Sequence, residues 1–231
     1  MAKSSFPRPA AIDEVFDGLE KMWGNESAPP DLAHEEPLDG LVLTLLSQNT
    51  NDRNRDRAFD ALKARFPEWN AAAGASSEDI AECIRPAGLA KTKSERLLRI
   101  LDTIRKTFGT YSLKELRGWE GTKVREYLSS LPGIGAKTIA CVMLFDLGKP
   151  AFPVDTHIAR FCRRMEWVSE KTAPEEMQVL LEKWVPRERF YGGHINIIEH
   201  GRGVCGARKP ACGKCRISGL CPYNGKNGPL S

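Results

Sequence analysis

The sequence has no apolar run long enough to span a bilayer, and its first eleven residues hold Lys3 and Arg8 but no hydrophobic core of a secretory signal. These absences point to an intracellular, cytoplasmic protein. It also lacks any stretch that reads as a convincing strand, which argues against a fold built on a sheet. There is no internal repeat and no low-complexity segment, so solenoids and disordered tails are set aside. One sign of charge is missing locally. From His200 to Ser231 there are six Lys or Arg and no acid, whereas Met1 to Asp39 holds nine acids against Lys3, Arg8 and Lys21. The net charge of +4 is too small to establish a polyanionic partner, but a basic C-terminal region suits contact with phosphates. What is present is ordinary for a globular chain: 231 residues, 41% hydrophobic and 28% charged, enough for one domain or two small ones.

The pattern is helical almost throughout, so the expected fold class is all-α. Ile12, Val15, Phe16, Leu19, Met22 and Trp23 form a stripe of 3.6-residue period and predict an opening helix. Asn25 to Pro37, with Pro29 and Pro30, reads as a linker. Leu38 to Ser47 reads as a buried helix and Asp52 to Phe66 as an amphipathic one. Glu78 to Arg85 is short, with Ser76 or Ser77 placed to cap it. Pro86-Ala87-Gly88-Leu89 interrupts, and Ser94 to Phe108 resumes with Leu97, Leu98, Leu101 and Ile104 on one face. Thr172-Ala173-Pro174-Glu175 carries the spacing of a capping box and a proline suited to a first turn.

The most informative run is Leu131-Pro132-Gly133-Ile134-Gly135-Ala136-Lys137-Thr138, followed eighteen residues beyond its lysine by Asp155. Val124, Leu128 and Leu131 recur at helical spacing before it, and the apolar run Ile139 to Leu147 follows, so helix, glycine turn and helix are expected. Pro132 stops the first helix, while Gly133 and Gly135 permit backbone angles and close approaches that a side chain would forbid. Such a turn offers N–H groups to a phosphate. A nucleotide-binding P-loop fails on detail, since it needs glycine directly before the lysine and a strand leading in. An ordinary packing turn remains open on this run alone.

Four of the seven cysteines, Cys205, Cys212, Cys215 and Cys221, follow the spacing C-x6-C-x2-C-x5-C. Four thiols so close in an intracellular chain imply a metal site, either zinc or an iron-sulfur cluster. Only Cys212 and Cys215 form the close pair that zinc ribbons use twice. Cys83, Cys141 and Cys162 lie among apolar neighbours and read as core.

The hairpin with its lysine, then Val154-Asp155-Thr156-His157, then the cysteine quartet resemble, in order and spacing, the endonuclease III family of DNA glycosylases within the helix-hairpin-helix superfamily. The similarity runs from about Leu38 to Tyr223 and includes His200-Gly201-Arg202 and Ala207-Arg208-Lys209-Pro210. The resemblance implies two helical lobes with DNA lying in a groove between them. One is a six-helix barrel with the hairpin, residues 35–149; the other is a cluster lobe made from residues 1–34 and 150–231. It also implies a 4Fe-4S cluster on the four cysteines, a double-stranded DNA partner with damaged pyrimidines or abasic sites, a nucleoid-associated location and a monomer.

The resemblance assigns chemistry as well. A base inside the stack cannot be reached, so the nucleotide must be extruded and the gap propped. Leu89, in the Gly88-Leu89 turn with Lys91 and Lys93 expected to make it an exposed basic loop, is similar in position to the family's wedge. Gln48 or Asn49 is similar to its gap-filling residue. Gly133, Gly135, Arg208 and Lys209 are expected at the phosphates. Lys137 is the expected nucleophile, its charged form disfavoured near a helix N-terminus in a desolvated groove, and Asp155 would stabilise positive charge on the sugar, unless it is only the cap of the helix from Thr156 to Met165. His157 is expected to be structural. Adenine and thymine-mismatch enzymes of the superfamily lack this lysine; the adenine enzymes carry a glutamate where Thr44 stands and a further domain after the cluster, whereas this chain stops ten residues past Cys221. The reading is a bifunctional glycosylase and lyase for oxidised or ring-damaged pyrimidines.

Overall fold

The computed structural model describes residues 6–25 and 32–227, and every regular element among them is helical. In chain order these are α1 Ile12–Trp23, α2 Pro37–Leu46, α3 Asp52–Arg65, α4 Trp69–Ala73, α5 Ser77–Cys83, α6 Ala90–Phe108, α7 Gly121–Ser130, α8 Ala136–Cys141, α9 Thr156–Arg164, α10 Pro174–Trp184, α11 Phe190–Gly203 and α12 Pro222–Asn227. Two units divide the chain, one of Asp31–Lys149 and the other of Met1–Pro30 with Pro150–Ser231. Part of the linker and the first five residues lie outside the described residues.

The unit Asp31–Lys149 is organised around α2. Pro37 opens this helix at a first-turn position, where a missing N–H costs nothing, and the Glu36 carboxylate accepts from Leu38 N at 3.1 Å. Leu38, Leu41, Val42, Leu45 and Leu46 are fully buried, each leucine contributing roughly 1.5–3 kcal/mol. Gly40 lies directly against the Asp146 carboxylate, which leaves no room for a Cβ. Asp146 is itself buried and takes a 2.6 Å hydrogen bond from His34 Nδ1, while the Arg117 guanidinium donates to the His34, Glu35 and Asp146 carbonyls. The apolar run after the hairpin is not one regular helix. It is α8 followed by a π turn over Val142–Asp146, closed by Leu147 N on Val142 O at 3.0 Å.

One helix start differs from the sequence reading for an identifiable reason, and one choice of cap that it left open is decided. Helix α6 begins at Ala90 rather than Ser94, because Leu89 takes a left-handed conformation (φ 50°, ψ 34°) and serves as its N-cap. Ser76, not Ser77, caps α5, accepting from Asp79 N at 3.1 Å. The Thr172 capping box does not form. With Pro174 as first residue of α10 the cap position is Ala173, and the Thr172 hydroxyl instead meets Ser169 Oγ at 2.9 Å.

In the other unit α1 lies along α11. Phe16 packs directly onto Gly193, and Trp23 lies 2.8 Å from where a Cβ on Gly203 would be. An aromatic array of Phe16, Phe152, Phe161, Trp167 and Phe190 fills the interior, with centroid spacings of 5.6–6.4 Å. Cys162 belongs to this core, its thiol pushed up to about 12 by burial, and Cys141 is buried in the first unit. Cys83 is only half-buried, at the open end of α5, which corrects its assignment to the core.

Candidate functional site

In the unit Asp31–Lys149 the expected hairpin forms. Helix α7 ends at Ser130, Leu131 leaves the helical region (φ −74°, ψ 138°), and Ile134 N returns to Leu131 O at 3.3 Å. Leu131 and Ile134 are buried and anchor the turn, leaving Gly133 and Gly135 exposed. Gly133 has φ 75°, a conformation that favours glycine, and a Cβ there would stand 2.7–2.8 Å from Arg96 Cδ and Nε, so that side chain would have to move aside. Gly135 corrects the sequence reading. It is the N-cap of α8 in extended backbone (φ −95°, ψ 173°), and a Cβ would meet nothing within 4 Å. Lys137 is the second residue of α8, half-buried, and its ammonium forms no hydrogen bond or ion pair with another described residue.

Two further segments meet near this turn. Gln48 Nε2 donates to Gly133 O at 3.3 Å, and Gln48 Oε1 accepts from Arg96 Nη1 at 3.3 Å. Asn49, next along, is exposed and left-handed at φ 57°. Leu89 is 59% exposed, an unusual setting for a leucine on a left-handed backbone. The expectation that Lys93 makes this an exposed basic loop is wrong. Lys91 is exposed, but Lys93 is 1% exposed, turned inward on the first turn of α6, with its ammonium on the carbonyls of Leu46 (2.8 Å), Gln48 (2.6 Å) and Ala87 (2.9 Å). Thr44 stands half-buried on α2.

In the second unit Asp155 caps α9. Its Oδ1 accepts from both His157 N (2.8 Å) and Ile158 N (2.9 Å), which leaves Oδ2 without a bond to another described residue. One oxygen holds the helix end and the other is available. His157 has the structural role expected of it, its Nδ1 meeting Arg160 Nη2 at 3.0 Å while its ring packs on Gly201.

Cys205, Cys212, Cys215 and Cys221 line one pocket, walled by Phe161, Val204, Pro210, Ile217 and Tyr223. Burial, and then the neighbouring thiols Cys221, Cys205 and Cys212, push the Cys215 thiol up to about 11. Two cationic or N–H groups face the sulfurs. Arg164 Nη1 donates to Cys205 Sγ at 3.0 Å and to the Cys205 and Gly206 carbonyls, with its guanidinium 4.5 Å from the Tyr223 ring centroid. His200 Nε2 lies 3.6 Å from Cys215 Sγ, and burial holds its ring neutral, lowered to about 4. N–H donors on sulfur are what thiolate ligands require to hold their charge in an apolar wall. Among the described residues no three His, Cys, Asp or Glu groups converge tightly enough for a single ion. Four thiols lining one pocket, with the Arg164 guanidinium on one sulfur, are a donor set of the kind that zinc or an iron-sulfur cluster uses. Arg208 and Lys209 are exposed on the loop between Cys205 and Cys212. The sequence reading passed over Arg164, although Arg160 and Arg164, four apart on α9, signal one helix face turned to the cysteine loop.

Helix, glycine turn and helix with a lysine on the second helix define the helix-hairpin-helix class of DNA-repair fold. The chain belongs to the HhH-GPD superfamily of base excision DNA repair proteins, whose family model matches residues 42–187. An Arabidopsis thaliana relative named for DNA glycosylase activity is 37% identical over 171 residues, 74% of this chain, but the chain spans only 58% of that relative's length. Endonuclease III of Synechocystis is 33% identical over 210 residues, 90% of each chain. A solved structure of a trapped endonuclease III–DNA covalent intermediate matches with a TM-score of 0.80 at 26% identity, covering 93% of this chain and 96% of that one. By family the protein is a base-excision-repair DNA glycosylase.

Proposed function

We propose that this chain is a bifunctional DNA glycosylase and AP lyase that removes oxidised or ring-damaged pyrimidines from duplex DNA and nicks the strand 3′ to the resulting abasic site. The observation that carries the reading is Lys137, a half-buried lysine on the second helix of the hairpin with no hydrogen-bond or ion-pair partner among the described residues. The similar endonuclease III structure holds a covalent intermediate with DNA, which supports an amine nucleophile here.

The Lys137 amine, unprotonated, attacks the deoxyribose C1′; the bond from C1′ to the base breaks, and the base leaves with the bonding pair. Loss of the amine proton and opening of the sugar ring give an iminium. A proton then leaves C2′, and its electrons expel the 3′ phosphate oxygen by β-elimination. Water releases Lys137. Asp155 supplies the negative charge that offsets the cationic sugar, through the oxygen not engaged by the helix end. Leu89 wedges the stack; Asn49, the exposed member of the pair, fills the vacated position while Gln48 braces the hairpin beside it; Gly133, Gly135, Arg208 and Lys209 meet phosphates.

Cys205, Cys212, Cys215 and Cys221 would hold a 4Fe-4S cluster, supplying cross-links that fix residues 205–221 and hence the Arg208-Lys209 loop. The described residues contain no helix long and apolar enough to cross a membrane, and we take the protein to act as a monomer, with the nucleoid as its place of work. The test is base release and strand scission on a panel of duplexes. Release of thymine glycol coupled to a nick supports the reading; base release without a nick makes the protein monofunctional, and DNA binding with neither makes it a non-catalytic DNA-binding module.

A further inference from the structure

Lys93 has no place in the chemistry above, yet it is among the largest fully buried side chains of the molecule. A lysine on the first turn of a helix ordinarily runs its stem along the surface and keeps the ammonium in water. Here the ammonium is turned inward and its three N–H donors meet three carbonyls, those of Leu46, Gln48 and Ala87. The first two close the end of α2 and the loop beyond it; the third belongs to the 3-10 turn Arg85–Ala87 that leads into Gly88-Leu89. Desolvation pushes the ammonium below the usual lysine range, so the contacts are made at the expense of hydration.

What those carbonyls flank is specific. Three non-glycine residues among those described have positive φ: Asn49, Leu89 and Glu166. The Gln48 carbonyl is in the peptide immediately before Asn49, and the Ala87 carbonyl is two residues before Leu89, whose own carbonyl accepts from Lys93 N at 2.9 Å. One buried cation thus holds the backbone just before each of these left-handed positions, and such positions persist only where surrounding contacts over-determine them. We propose that Lys93 is a positioning residue for base extrusion, a buried cation that locks the gap-filling segment Gln48-Asn49 and the Leu89 turn into one rigid element. The inference rests on the reading above that these segments enter the duplex. A rigid pair inserts together, so that extrusion and propping are one step rather than two.

The test uses the full protein and a duplex with a tetrahydrofuran abasic analogue opposite 2-aminopurine, whose fluorescence reports insertion beside the orphaned base without any chemistry at Lys137. Lys93→Met is expected to lose the insertion signal and to slow single-turnover base release on the order of 100-fold with DNA affinity little changed. Leu89→Ala should weaken the signal in the native background and add little in Lys93→Met, because both act on one element. Leu116→Ala, a core change elsewhere in the same unit, controls for lost stability and should leave the signal intact. If Lys93→Met does not fold, Lys93→Gln takes its place; its shorter, neutral amide has two N–H donors for three carbonyls, so the insertion signal should fall part of the way and the effect of Leu89→Ala should again be less than additive. Native insertion signal in the folded variant, or additive effects of Lys93 and Leu89, would overturn the proposal while leaving the glycosylase reading standing. If the native protein releases no base from any damaged duplex and gives no insertion signal, the glycosylase reading fails and the proposal fails with it.

Discussion

The Gln48 side chain bridges the loop after α2 to the hairpin, giving Nε2 to the Gly133 carbonyl and accepting from Arg96 on Oε1, both at 3.3 Å. The contact separates two residues that the family resemblance leaves as alternatives. Gln48 is committed to the hairpin, whereas Asn49 is exposed beside it. Gln48→Ala should therefore weaken binding to all duplexes alike, by releasing the Gly133 turn, and Asn49→Ala should change the dependence on the base opposite the lesion. Dissociation constants against the four opposite bases distinguish the two patterns.

The two hairpin glycines should respond oppositely. Gly133→Ala places a Cβ at positive φ and against Arg96, and should cost about 1–3 kcal/mol in urea denaturation. Gly135→Ala has space and extended backbone, so stability should hold within about 0.5 kcal/mol. A loss of DNA affinity in Gly135→Ala without a loss of stability would then locate the phosphate at this residue.

Asp155 has two roles that a conservative change can split. Asparagine caps a helix about as well as aspartate but carries no charge, so Asp155→Asn should keep the native melting temperature and lose base-release rate by on the order of 100-fold or more. Asp155→Ala should lose rate and about 1 kcal/mol of stability together. Parallel melting curves and single-turnover rates decide it.

Much of this was legible in the chain. The α1 stripe and the hairpin could be read because apolar spacing and a Pro-Gly turn act locally. Lys93 could not, because its inward turn depends on carbonyls forty-odd residues away coming within reach of one ammonium. Nor could the engagement of Gln48, for the same reason. Thr172 misled because capping-box spacing says nothing of which residue the following proline will leave as the cap.

The His34–Asp146 contact sets a pH dependence of stability. Its hydrogen bond to Asp146 raises the His34 pKa above the ordinary 6.5, despite partial burial. The folded state therefore holds the proton more tightly than the unfolded chain. The stabilisation is complete below pH 6.5 and is lost as pH rises through the raised value. Urea midpoints should fall across that window in the native protein, and the slope should flatten in His34→Gln.

The central claim is that Lys137 bonds to the sugar, and trapping with sodium borohydride tests it most directly. The full protein, mixed with duplex DNA carrying an abasic site and reduced, should give a covalent adduct that peptide mapping places on Lys137, and Lys137→Ala should give none. An undiminished adduct in Lys137→Ala, or no adduct with the native chain, would contradict the account.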